Sequence, residues 1–145
     1  MNAITATQAA ELLVAAAVGI WEGADIQVSI NIAVSERLKS ATSKDGGLDL
    51  QQVFITDSDM RHIKNRHGSG EDALGQIDIT PEDFAMIPII LSEYDELIRG
   101  EDDKLGNARF MLTKNLSGTV YLATVQRGKK KLEVRTFYKR KPGAS

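Results

Sequence analysis

The sequence predicts an α+β domain, with N-terminal helices packed on a C-terminal antiparallel sheet of three to four strands. Two observations carry this expectation: capped helical stretches come first, and three alternating segments joined by short turns come last. The length of 145 residues suits one domain with its own core.

Thr5 or Thr7 can cap a first helix that runs to about Glu22, where Gly23 can stop it. Its apolar residues fall on more than one face, so it is expected to be well buried. The apolar run Leu12–Trp21 is shorter than the ~20 residues of a membrane span and lacks a basic leader, so it reads as a buried helix and not as a signal peptide. Ile26, Val28, Ile30, Ile32 and Val34 alternate with Gln27, Ser29, Asn31, Ala33 and Ser35, which predicts a strand with one apolar face. That face must be covered, by the rest of the chain or by a second copy. Ser35–Lys44 is ambiguous between helix and loop, and Lys44-Asp45-Gly46-Gly47 reads as a turn.

Val53–Ile55 reads as a short strand. Thr56, Asp57 or Ser58 then caps a helix that runs to about Arg66 and stops at Gly68. Gly68-Ser69-Gly70 and the acids after it form a loop. Thr80-Pro81-Glu82-Asp83 starts another helix, with a hydroxyl cap, a proline and first-turn acids. Pro88 is expected to break or kink that helix, with a second piece over Ile89–Ile98 ending at Gly100. Arg109–Lys114, Thr119–Gln126 and Lys131–Lys139 read as three strands of a meander, turning at Ser117-Gly118 and at Arg127-Gly128-Lys129-Lys130.

The chain has no cysteine, which excludes disulfides, zinc–thiolate sites and a cysteine nucleophile. The net charge of −2 hides an uneven distribution: residues 71–103 hold eleven acidic and one basic side chain, and residues 104–145 hold eleven basic and one acidic. A basic end can bind a polyanion, or it can simply pair with the acidic middle on folding. Glu82, Asp83, Glu101, Asp102 and Asp103 read as solvated cap and loop acids, not as a metal site. No glycine-rich phosphate loop and no nucleophile elbow are present.

His62 and His67 are the only histidines. Their spacing of five puts them about 140° apart on a helix, whereas a helical zinc pair prefers four. Histidine titrates near neutrality and suits proton transfer; the structural alternative is one histidine in the core and one at the helix end. Thr136 and Tyr138 lie two apart and are expected on the face of Leu132 and Val134, where they could donate to a phosphate or stack on a base. Lys114, at a strand end, could neutralise a phosphate. Lys129, Lys130 and Lys131 at the last hairpin are candidate phosphate contacts, or solubilising edge residues.

Taken in order, Ile63-Lys64-Asn65-Arg66-His67-Gly68, Gly75-Gln76-Ile77-Asp78-Ile79-Thr80, the Ile87-Pro88 helix, a strand ending in Lys114, a strand holding Tyr121, a Gly-Lys-Lys turn and Leu132-Glu133-Val134-Arg135-Thr136-Phe137-Tyr138-Lys139 resemble the phage-associated branch of the barnase/EndoU/colicin/RelE-like nucleases. The resemblance runs from Val53 to Lys141. It divides the chain into a helix-plus-strand element of unknown role over residues 1–50 and a nuclease-like domain over 51–145. It implies a metal-independent, cofactor-free endoribonuclease, phage- or toxin-associated, that uses 2′-OH attack and leaves a 2′,3′-cyclic phosphate. By the same resemblance His62 and His67 would move protons, and Lys114, Thr136 and Tyr138 would hold the phosphate; Arg66, Lys129, Lys130, Lys131 and Lys139 are the candidate nucleic-acid contacts. The implied partners are RNA, tRNA among the candidates, and a cognate immunity protein or phage head protein. A homodimer through the N-terminal strand is a further expectation, and no membrane role is expected. The implied location is a bacterial or phage-derived cytoplasm, or that of a target cell. The alternative is a catalytically inactive nuclease-like domain that serves as a structural or nucleic-acid-binding module; a protein-binding domain is the third reading. Fold-level likeness does not by itself decide among them.

Overall fold

The computed structural model describes residues 5–33, 35–43, 52–71, 75–128 and 131–141. The turn expected at Lys44–Gly47, together with Lys129 and Lys130, lies outside them.

Helix α1 spans Ala6–Trp21. Thr5 and Gln8 cap it reciprocally, each side chain accepting from the other's backbone N–H. Gly23, at φ +86°, lets the chain leave the helix. Ala9, Leu13, Ala16, Ala17 and Ile20 form one buried stripe, while Leu12 and Val18 are exposed. The expectation of burial on several faces is therefore corrected: α1 covers the core with a single side.

Strand β1 (Ser29–Ala33) pairs antiparallel with β2 (Gln52–Thr56), and α2 (Glu36–Ser43) resolves the ambiguous segment between them as helix. Ile30 and Ile32 of the alternating row are buried, on the same core as α1 and the carboxy-terminal strands. Helix α3 spans Asp57–His67. Its cap is Thr56, whose N–H and hydroxyl both donate to Asp59 Oδ2. Asp57 ties the helix start to β1: its carboxylate accepts the Val28 N–H at 3.0 Å, and its own N–H donates to the Val28 carbonyl. That Val28 N–H, ahead of the paired Arg61 guanidinium, holds the Asp57 carboxyl below its ordinary value.

After β3 (Gln76–Ile77), Thr80 and Asp83 cap a 3₁₀ turn over Pro81–Ala85, which runs into α4 (Met86–Glu93). The change of helix type falls before Pro88, not at it. Pro88 sits in the first turn of α4, where a backbone N–H would have no helical partner anyway. The second helical piece expected to reach Ile98 is also corrected. Glu96–Arg99 is strand β4, paired antiparallel with β5 (Arg109–Leu116). Tertiary contacts override the local pattern: Arg37 lies 3.8 Å over the Tyr94 ring, and the Asp95 carboxylate accepts the Asn115 N–H at 2.7 Å.

Strands β5, β6 (Thr119–Gly128) and β7 (Lys131–Arg140) form the expected antiparallel meander. Ser117 (φ 51°) and Gly118 (φ 88°) turn the first hairpin with the left-handed backbone that a tight β-turn needs. The α+β class stands, but the sheet has seven strands and is mixed. Its order is β1-β2-β7-β6-β5-β4; β2 runs parallel to β7, and β3 pairs with the far end of β7. The helices cover one face, where Phe84 packs edge-on against Trp21 at 5.7 Å and against Phe137 at 5.6 Å.

Candidate active site

Strand β7 is paired with β2 over Lys131–Glu133 and with β3 over Lys139–Arg140. Helix α3 packs beside the stretch between them. Met60 and Ile63 enter the core, and both histidines reach β7 on the side away from it. His62 is exposed and lines a cleft of about 200 Å³ with Arg109, Thr124, Gln126, Arg135 and Thr136.

A β-bulge shapes this cleft. Thr124 pairs with Thr136 but Val125 pairs with Val134, so Arg135 is the extra residue. The bulge puts Leu132, Val134 and Phe137 together in the core. Thr136 and Tyr138 fall on the open face, opposite Leu132 and Val134. The expectation that all four share a face is corrected, because it assumed an unbroken two-residue period. The bulge also aims Arg135 at α3, where its guanidinium donates to Asp59 Oδ1 at 3.2 Å and to Glu133 Oε2 at 3.3 Å. Burial, followed by the hydrogen bond to Glu133, pushes the Asp59 carboxyl up to about 7. Across the cleft, Arg109 Nε donates to Gln126 Oε1 at 3.2 Å.

One turn further on, the His67 ring stacks on Tyr138, with centroids 5.1 Å apart and planes 24° from parallel. Its Nδ1 lies 2.6 Å from Glu71 Oε1. The Glu71 side chain is only 2% exposed, and its backbone N–H donates to Asp78 Oδ1 at 3.0 Å. His67 is thus held on two sides, by a carboxylate at its edge and by a phenol ring on its face.

The lysines are placed differently from expectation. Lys114 shares the helix-covered face with Phe110 and Leu112 and pairs with Asp95 at 3.3 Å. It is on the wrong side of the sheet to meet His62. Lys139 is drawn to the same covered face, where Asp83 Oδ2 lies 2.8 Å from its Nζ and leaves its side chain 14% exposed. Neither offers a free charge to a nucleic acid on the open face. Both are cases of the basic end pairing with the acidic middle. Lys131 lies 4.9 Å over the Phe54 ring, and Arg66 is exposed in the last turn of α3. The structure thus brings together His62 with Thr136 and His67 with Tyr138, side by side along β7.

Sequence reasoning missed Arg109, Gln126, Arg135, Asp59, Glu133 and Glu71. One signal was available: apolar positions 132, 134 and 137 are spaced by two and then three, which marks a bulge near Arg135. Glu71 follows a glycine-rich loop and carries no such signal.

The model of the phage-Barnase-EndoU-ColicinE5/D-RelE like nuclease3 family matches residues 32–144. The chain belongs to that family. This nuclease family match begins well upstream of Val53 and takes in the end of β1 and all of α2. No curated protein and no solved structure matches the chain. Among the described residues of this nuclease-type domain, no three His, Asp or Glu side chains are grouped to hold a metal ion. Among them, too, no helix is long and apolar enough to cross a membrane.

Proposed function

We propose that the open face of the sheet cleaves RNA by attack of the ribose 2′-OH on the adjacent phosphorus. The observation that carries this reading is the grouping of His62, Arg109, Arg135 and Thr136 around one cleft, with His67 and Tyr138 next along the same strand. One histidine takes the 2′-OH proton as the O2′–P bond forms. The other gives a proton to the 5′-oxygen as the P–O5′ bond breaks, leaving a 2′,3′-cyclic phosphate. Arg109 and Arg135 offset the charge that builds on the phosphoryl oxygens, the role that Lys114 is too far round the sheet to play. Thr136 and Tyr138 orient the phosphate, and Arg66 and Lys131 extend the cationic surface.

The test is RNA cleavage in EDTA by wild type and single variants, each checked for folding by circular dichroism. Because side chains do the proton work in this reading, EDTA should have no effect. His62→Ala and His67→Ala should each lower the rate by about 10²–10⁴-fold, and binding should weaken as salt rises. Full activity in a folded His62→Ala/His67→Ala double variant would refute the mechanism. A wild type that binds RNA without cutting it would make the domain a binding module.

A further inference from the structure

We infer that Glu71 is the positioning residue of His67, and that the pair fixes His67 as the general base with its Nε2 as the proton acceptor. The inference rests on the nuclease reading and assigns a role within it. A carboxylate oxygen can only accept, so across the 2.6 Å contact Nδ1 carries the hydrogen. The neutral ring is then the Nδ1–H tautomer, with its remaining lone pair on Nε2. A carboxylate on Nδ1–H also stabilises the imidazolium that forms when Nε2 takes a proton.

The site is built for this. A carboxylate as buried as Glu71 costs free energy unless it is paired, and among the described residues His67 pairs with it. Its backbone is anchored through the Asp78 side chain. The His67 carbonyl accepts from the Ile79 N–H at 2.8 Å, so the segment after β3 holds both members of the pair. Tyr138 stacks on the face of the ring, 5.1 Å away between centroids. Two contacts on the ring and two on the backbone around it exceed what a helix end needs, since the Gly68 N–H already closes α3 on the Lys64 carbonyl. His62 is exposed and, among the described residues, has no comparable carboxylate clamp, which leaves it the acid.

Two measurements on the full chain test this. The first is the tautomer of His67 in wild type, read from long-range ¹H–¹⁵N spectra at a pH where the ring is neutral. Nδ1–H is expected, and a predominant Nε2–H tautomer overturns the inference whatever the activity. The second is cleavage by Glu71→Gln, which keeps the shape and loses the charge. A fall in kcat of about 10²-fold is expected with KM little changed, and no further fall when the change is added to His67→Ala, because the two act as one unit. An active wild type with an equally active Glu71→Gln overturns Glu71 alone. A wild type inactive on every RNA overturns the nuclease reading and the role of Glu71 with it. If Glu71→Gln does not fold, the wild-type tautomer decides.

Discussion

Replacing Asp59 with asparagine removes a carboxyl whose protonation the fold favours. Asp59 is 3% exposed, and Glu133 presses a second carboxyl against it. Arg135, the cation in contact, is half exposed, so much of its charge is spent on solvent. Burial and then Glu133 raise Asp59 from 3.8 to about 7. Because the folded value lies above the unfolded one, folding takes up a proton between these limits. The stability this contributes is complete below the unfolded value and is lost as pH rises through the folded one. At about 1.4 kcal/mol per pH unit, a rise of this size sets an upper bound of about 4 kcal/mol lost between pH 4 and pH 8, reduced by whatever solvent reaches the carboxyl. The substituted asparagine is neutral at every pH, still accepts from Thr56, and can donate to Glu133. Urea unfolding of wild type and Asp59→Asn, at half-unit steps of pH and constant ionic strength, checks this. The variant should gain on wild type steadily across the window, by up to about 4 kcal/mol. Stability curves that stay parallel from pH 4 to pH 8 would refute the reasoning.

Other outcomes follow from the placement of the cations and of α3. Arg109→Ala should slow RNA cleavage by about 10²-fold, whereas Lys114→Ala should leave it close to wild type, since Lys114 lies on the covered face with Asp95; steady-state rates of the two decide. A methyl group on Gly68 would lie 2.5 Å from the Lys64 carbonyl oxygen, so Gly68→Ala must distort the end of α3. A loss of about 1–3 kcal/mol is expected in thermal unfolding, with a fall in cleavage because His67 moves. An unchanged Tm would show that the helix end is looser than described. Ser117→Gly relieves a left-handed backbone that serine adopts at a cost, and should raise stability by up to about 1 kcal/mol in urea unfolding.

The parts of the fold that were legible in the sequence are those set by local chemistry. Thr5, Thr56 and Thr80 announce their helices because a cap is a contact between residues three apart. Strands β5, β6 and β7 announce themselves by alternation and by turns at Ser117-Gly118 and Gly128. What was not legible depends on distant partners. Strand β4 exists because β5 offers a free edge, and nothing in Glu96–Arg99 says so. The parallel pairing of β2 with β7 joins segments far apart in the chain. In the candidate site the histidines were visible by residue type alone. Arg135 was hidden by the assumption of a regular strand, and Glu71 by a loop that gives no hint of returning to His67. Lys114 and Lys139 looked available because a sequence shows charge without showing what neutralises it; Asp95 and Asp83 are brought to them only by the packing of the 3₁₀ turn and α4 on the sheet.

Everything proposed for the open face beside His62 and His67 depends on the ribose 2′-OH being the nucleophile. The decisive measurement is cleavage, by wild type, of an RNA oligonucleotide with its cut site mapped, compared with the same oligonucleotide carrying a single 2′-deoxy substitution at that site. A cut with a 2′,3′-cyclic phosphate end is expected in the first, and none at that bond in the second. Cleavage of both at similar rates would contradict the 2′-OH mechanism.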